Sequence, residues 1–144
     1  MKAKPGLLLQ PYVVAQLAGA VVEQIVEGSG LTASEFAVTS WLNIHGSATP
    51  SQLAHDLGIA PTTLSSMLDR LVRKKQVRRV RHPDDGRSAL LELTARGKTT
   101  TVQNNERFAR MLKTLKANLD GDPDEILETL RRLEDGLRRT LRTT

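Results

Sequence analysis

A chain of 144 residues fits one domain with room for an oligomerisation appendage, and it is long enough to bury a substantial core. It has no cysteine, which excludes disulfides, thiolate metal sites and thiol redox sensing, and only four aromatic residues (Tyr12, Phe36, Trp41 and Phe108), so the core must be aliphatic. The net charge of +5 is unevenly placed: residues 60–100 carry ten Lys and Arg against four Asp and Glu, a net of +6, while the rest of the chain nets −1. A local basic field of this kind points to a polyanionic partner rather than to a uniformly solvated surface.

At the N-terminus, Lys2 and Lys4 precede an apolar run from Leu7 to Val22, and Ala18-Gly19-Ala20 imitates a signal-peptidase site. Gln10, Pro11 and Gln16 interrupt that run, however, and Leu9, Val13, Leu17, Val21 and Ile25 recur every four residues. That is one stripe of an amphipathic helix rather than a leader. No segment reaches the ~18 uninterrupted apolar residues of a membrane span, so a cytoplasmic chain with no membrane partner is expected.

The first helix is predicted from Leu7 to Glu27, halted by Gly28-Ser29-Gly30. Thr32 then caps a second helix, with Glu35 closing a capping box and Leu31 as its hydrophobic staple. That helix carries Phe36, Val38, Leu42 and Ile44 and ends at His45-Gly46. Thr49-Pro50-Ser51-Gln52 repeats the box, with Pro50 at the first helical position of a short helix to Leu57. Gly58-Ile59-Ala60 makes a turn, and Pro61 opens the next helix. Leu53, Leu57, Ile59, Leu64, Leu68 and Leu71 form the buried seam of a helix-turn-helix. Val77–Arg81 and Ala89–Leu93 flank the turn-rich residues 82–88 and read as a β-hairpin.

Thr94 starts a long helix with Val102, Phe108, Met111, Leu112, Leu115 and Leu119 as its stripe, ended by Gly121. Asp122 caps the last helix, with Glu125 at the box position and Ile126, Leu130, Leu133, Leu137 and Leu141 on one face. The fold class is therefore mainly α with a small β-hairpin wing, a winged helix-turn-helix. Residues 31–97 are expected to form the winged helix-turn-helix lobe within a single 1–144 domain. Amphipathic helices at 7–30 and 98–144 cannot bury their stripes against so small a lobe. A two-fold homodimer is the commonest solution, and an intramolecular bundle is the alternative.

The helix opened by Pro61 is the candidate recognition element. Thr62, Thr63, Ser65 and Ser66 face outward while Leu64, Met67 and Leu68 face in. Small hydroxyl side chains let a helix sink into a major groove and bond phosphates and base edges. Ser51, at the opening of the preceding helix, joins these DNA-binding candidates. Arg70 is long enough to read a guanine edge; Arg73, Lys74 and Lys75 extend the positive charge, the lysines as phosphate neutralisers. Arg78, Arg79 and Arg81 line the hairpin, and Arg87 stands at its tip as a minor-groove candidate, with Asp85 placed to hold its guanidinium.

Enzymatic motifs are missing: there is no Gly-rich phosphate loop, nucleophile elbow or paired-His motif. His55-Asp56 and His82 near Asp84 are ordinary surface neighbours. His45, His55 and His82 lie in different elements, so neither a metal site nor a cofactor is expected.

From Leu31 to about Lys98 the chain resembles the multiple antibiotic resistance regulator (MarR) family. Residues 31–38 (LTASEFAV) resemble the family's second helix, Thr49 to Ile59 its helix before the turn, and residues 63–71 (TLSSMLDRL) its recognition helix. Asp84-Asp85-Gly86-Arg87, followed by residues 91–98 (LELTARGK), is similar to the family's wing and long-helix entry. Where the family commonly has Gly-Leu after the recognition helix, this chain has Lys75-Gln76, and lysine adopts left-handed backbone less readily than glycine. The resemblance implies a homodimeric transcription regulator, usually a repressor, on a pseudo-palindromic double-stranded operator, with wing arginines in the flanking minor grooves. It also implies release by a small aromatic or anionic effector bound between the dimer helices and the lobe, for which Tyr12, Trp41 and His45 are the candidates. A winged-helix protein-interaction module is the alternative reading.

Overall fold

A computed structural model describes residues 3–144, so Lys2, weighed above as part of a leader, lies outside the described residues. The elements run α1 (Leu9–Val26), α2 (Ala33–His45), β1 (Ser47–Ala48), α3 (Pro50–Leu57), α4 (Pro61–Arg73), β2 (Val77–Arg81), β3 (Ala89–Leu93), α5 (Ala95–Asn118) and α6 (Pro123–Thr143). This is the mainly helical winged helix-turn-helix expected. The chain divides into two compact units, Met1–Phe108 and Ala109–Thr144.

In the first unit, Gly28 (φ 78°) and Gly30 (φ 83°) let the chain leave α1 through left-handed backbone. Arg107 closes the end of α1, donating to the Glu27 carbonyl at 2.7 Å. Thr32 caps α2, its hydroxyl accepting the Glu35 N–H at 3.2 Å. The box expected there does not close. Glu35 is fully buried and gives its carboxylate to Lys74 rather than to the Thr32 N–H; separately, the Ala33 N–H donates to Glu23 Oε1 at 2.8 Å. Around α3 the box is complete: Gln52 N–H donates to the Thr49 hydroxyl, and Gln52 Oε1 accepts the Thr49 N–H. Gly58, at φ 64°, turns the chain toward α4.

The hairpin strands lie where the alternating pattern put them, with Val77 opposite Leu93 at the base and Arg81 opposite Ala89 near the tip. One strand was not expected. Ser47–Ala48 pairs antiparallel with Glu92 and Leu91, so the sheet has three strands in the order β1-β3-β2. Two residues are too few to show a period, which is why the pattern gave no sign of it.

The core of this unit is aliphatic, as the scarcity of aromatics requires: Val38, Leu42, Leu53, Leu64, Leu71 and Leu91 are each at most 1% exposed. Leu57 and Ile59 of the expected seam are only half-buried. Phe36 and Phe108 meet at 6.1 Å between ring centroids, tilted by 42°.

In the second unit, Asp122 caps α6 by accepting the Asp124 N–H at 2.9 Å; Glu125 does not complete a box. The α6 helix is strongly amphipathic yet buries none of its residues, leaving Leu127, Leu130 and Leu141 exposed.

Candidate nucleic-acid interface

The α3–α4 pair positions the site. Leu64, Met67, Leu68 and Leu71 sink one face of α4 into the core, and that fixes what the opposite face offers. Thr62, Thr63, Ser65, Ser66, Arg70 and Arg73 are all exposed, as are Pro61 and, on α3, Ser51. No side chain caps the N-terminus of α4. Its first N–H groups and the positive end of its dipole are therefore open to an anion, which suits a phosphate oxygen.

Arg70 and Arg73 make no ion pair among the described residues. Arg79 does: Nη2 lies 2.6 Å from Asp69 Oδ1. Both groups are substantially exposed, so the pair is weak and can open to a phosphate. It also stands the guanidinium beside the exposed face of α4. Arg78 is paired similarly with its cross-strand partner Glu92.

Lys74 departs from the expectation of a free phosphate neutraliser. Its ammonium donates to both Glu35 carboxylate oxygens and to the Gly30 carbonyl, each at 2.8 Å. A carboxylate with no solvent exposure needs a countercharge, and Lys74 supplies it. The lysine thus ties the end of α4 to the start of α2 rather than pointing at DNA. Sequence reasoning missed the partner because Glu35 matched a capping box equally well.

The departure at Lys75-Gln76 has a definite outcome. Lys75 takes the left-handed conformation itself, at φ 58°, and is the only non-glycine residue to do so among those described. Lys75 N–H donates to the Val72 carbonyl and Gln76 N–H to the Leu71 carbonyl, both at 3.0 Å, the paired bonds of a Schellman ending. So the helix ends as it would with glycine, at the cost of lysine backbone strain of about 1 kcal/mol. The turn is pinned from the entry and first turn of α5. Thr94 Oγ1 donates to the Lys75 carbonyl at 2.5 Å, and a Cβ at Gly97 would stand 2.0 Å from the Gln76 carbonyl oxygen.

At the wing tip Arg87 is exposed and its guanidinium has no partner among the described residues. Asp85 does not hold that guanidinium, as expected from sequence. It accepts the Arg87 backbone N–H at 3.0 Å and the Ser88 hydroxyl at 3.1 Å. It shapes the turn and leaves Arg87 to reach outward. His82, dismissed above as an ordinary surface neighbour, braces the same loop: its Nδ1 accepts the Asp84 and Asp85 N–H groups at 3.0 and 3.1 Å.

The three effector candidates do not come together. Trp41 and His45 stack at 3.9 Å, and His45 Nδ1 lies 3.0 Å from the Trp41 carbonyl. Tyr12 is 62% exposed and makes no ring contact with either. No group of three or more metal-capable side chains occurs among the described residues.

A turn-linked helix pair, a short three-stranded sheet and a long helix leaving its last strand define a winged helix-turn-helix protein. Comparison with known proteins narrows the class. The MarR family's sequence model matches residues 31–89. The chain is 31% identical over 120 residues to the multiple antibiotic resistance protein MarR of Salmonella typhimurium, covering 83% of each chain. A crystal structure of a cysteine-to-serine MarR mutant from E. coli, complexed with operator DNA, superposes with a TM-score of 0.77 at 28% identity, over 88% of this chain and 91% of that one. Reduced AbfR bound to DNA shares the fold at 24% identity, with a TM-score of 0.74 over 94% of this chain and 91% of that one. The chain belongs to the MarR family of winged helix-turn-helix transcription regulators, and it is not an enzyme. Among the described residues, no helix is long and apolar enough to cross a membrane.

Proposed function

We propose that this regulator is a sequence-specific binder of double-stranded DNA, a repressor that holds a pseudo-palindromic operator as a homodimer. One observation carries the reading: the face of α4 opposite the core consists of Thr62, Thr63, Ser65, Ser66, Arg70 and Arg73, at an uncapped helix N-terminus. Such a face fits a major groove, with hydroxyls close to the backbone and Arg70 within reach of a guanine edge. Arg87, on a loop shaped by Asp85 and His82, is the minor-groove anchor. Ser51 and Arg79 serve phosphates beside it. Lys74 acts indirectly, by setting how α4 ends.

The exposed apolar stripe of α6, and that of α1, support a two-fold dimer, since each needs a partner to leave water. Release by a small effector completes the proposal. A winged helix that binds protein instead needs no basic, hydroxyl-lined recognition face.

The test is selection of bound sites from random double-stranded DNA, followed by a salt titration on the selected site. Affinity should fall by about 10³-fold or more between 50 and 200 mM salt if six or more phosphates are contacted. Arg87→Ala should weaken binding strongly at every salt concentration. Failure to enrich any site, or affinity indifferent to salt, would favour the protein-binding module.

A further inference from the structure

The wing tip is organised around one imidazole. His82 follows β2 and precedes Pro83, and it is half-buried while residues 83–87 are exposed. Its backbone N–H donates to the Ser88 carbonyl at 3.1 Å, which closes the base of the loop. Its ring holds the top: Nδ1 accepts the Asp84 N–H at 3.0 Å and the Asp85 N–H at 3.1 Å. With the chain folded back in this way, Asp85 meets the Arg87 N–H and the Ser88 hydroxyl, and the Arg87 guanidinium is left outside.

A ring nitrogen that accepts carries no proton. The neutral imidazole therefore keeps its proton on Nε2, and the two loop bonds select that tautomer. A second proton has only Nδ1 to go to, where it turns the acceptor into a donor facing two backbone N–H groups. Both groups then lose their partner, and the loop opens to find water. Histidine side chains change charge between pH 5 and 8, so the change falls in an accessible range.

The charged groups nearest the ring belong to the hairpin. Asp84 and Asp85 follow it, Arg87 stands beyond them, and the Arg81 guanidinium lies against Gly86. Two carboxylates against two guanidiniums leave the tip close to neutral. No ion pair from any other element reaches His82 among the described residues. Hydrogen-bond geometry, rather than a charged neighbour, therefore sets which form of the ring the loop tolerates.

From this geometry we infer that neutral His82 is the positioning residue of the wing: Nδ1 holds the loop that presents Arg87, a proton there releases it, and acid weakens operator binding. This role rests on reading Arg87 as the minor-groove anchor, and it links that anchor to proton release. Its sign runs against the simple expectation. Added positive charge on a DNA-binding surface ordinarily tightens its hold on phosphates. Here the same charge undoes the turn that aims Arg87.

The experiment measures affinity for the selected operator from about pH 8 to about pH 5.5 at one salt concentration. It compares the full wild-type chain with His82→Asn and His82→Gln. Asparagine places Oδ1 where the imidazole places Nδ1, takes no proton, and suits a position before proline. Glutamine has no acceptor there. Toward acid, the wild type should lose about tenfold or more in affinity relative to His82→Asn, as two lost hydrogen bonds require. His82→Gln should bind at every pH about as weakly as the wild type does in acid. His45 and His55 are common to all three chains and cancel in the comparison. Nitrogen NMR of the free wild type should show the Nε2–H tautomer of His82. The Asp84 and Asp85 amide signals should shift together as that ring titrates.

Wild-type affinity that rises toward acid relative to His82→Asn, identical pH profiles for the two, or full-strength binding by His82→Gln would overturn the inference. So would an Nδ1–H tautomer, or Asp84 and Asp85 amides indifferent to the ring. A chain that bound no double-stranded site at any pH would sink the DNA reading and with it the operator consequence. The NMR titration, made without DNA, decides separately whether His82 holds the loop.

Discussion

Lys74 and Arg70 are close in sequence and both cationic, yet their surroundings give them different work. Arg70 is exposed with no ion pair among the described residues, so Arg70→Ala should relax preference at one base pair per half-site, by ~1–3 kcal/mol if it reads guanine. Equal weakening on every sequence would make it a phosphate clamp. Lys74 faces a carboxylate with no solvent exposure, so its loss strands a charge. Lys74→Met should destabilise the fold by up to ~3 kcal/mol, below the usual figure for a fully buried pair because the lysine is partly exposed. The added change Glu35→Gln should recover most of that loss. In operator binding, Lys74→Met should leave the salt slope unchanged, whereas loss of a true phosphate contact would lower it by about one. A urea melt of the two variants together with a salt series on the operator separates these roles.

The turn between α4 and β2 shows what an element asks of its residues. A left-handed residue is needed for both Schellman bonds, and Lys75 fills the place at a cost. Lys75→Gly should therefore stabilise the protein by about 0.5–1 kcal/mol, read as a higher denaturation midpoint with an unchanged m-value. Gly97 is the reverse case. Its Cα packs on the Gln76 carbonyl, so Gly97→Ala should cost about 3 kcal/mol or more, because backbone, not a flexible side chain, stands in the way.

Much of this was legible in the sequence, for particular reasons. Proline at Pro50 and Pro61, the Thr49–Gln52 box and the glycines after α1 and α3 fixed the helix ends, since each acts through local backbone chemistry. The α4 face was legible because a 3.6-residue period separates its leucines from its hydroxyls. Long-range partners were not. The Glu35–Lys74 pair joins residues 39 apart, and β1 joins β3 across more than 40 positions, with no local pattern to announce either contact. The Asp85–Arg87 pairing failed for another reason: a short aspartate side chain in a tight turn accepts a nearby N–H and a nearby hydroxyl before it can reach a flexible guanidinium.

At the scale of the whole molecule, the charge excess and the apolar surplus sit in different places. The cations gather on α4 and the hairpin, while α1 and α6 carry exposed leucines. Leu130→Asp with Leu137→Asp on α6 should turn a dimer into a monomer by light scattering. Operator affinity should then fall by orders of magnitude, because the second half-site becomes a separate binding event. A variant that stays dimeric would move the interface off α6.

The strand order carries a further consequence. With β3 in the middle and β1 only two residues long, β2 is the long open edge of the sheet. Unpaired edges invite another chain to stack on, the first step toward fibrils and precipitates, and natural sheets discourage this with charge. Arg78, Arg79 and Arg81 stand along that edge. The arginines that suit a nucleic-acid surface therefore also serve as gatekeepers against self-templating, and a variant that trades them for neutral β-formers to weaken DNA binding would be expected to lose solubility at the same stroke.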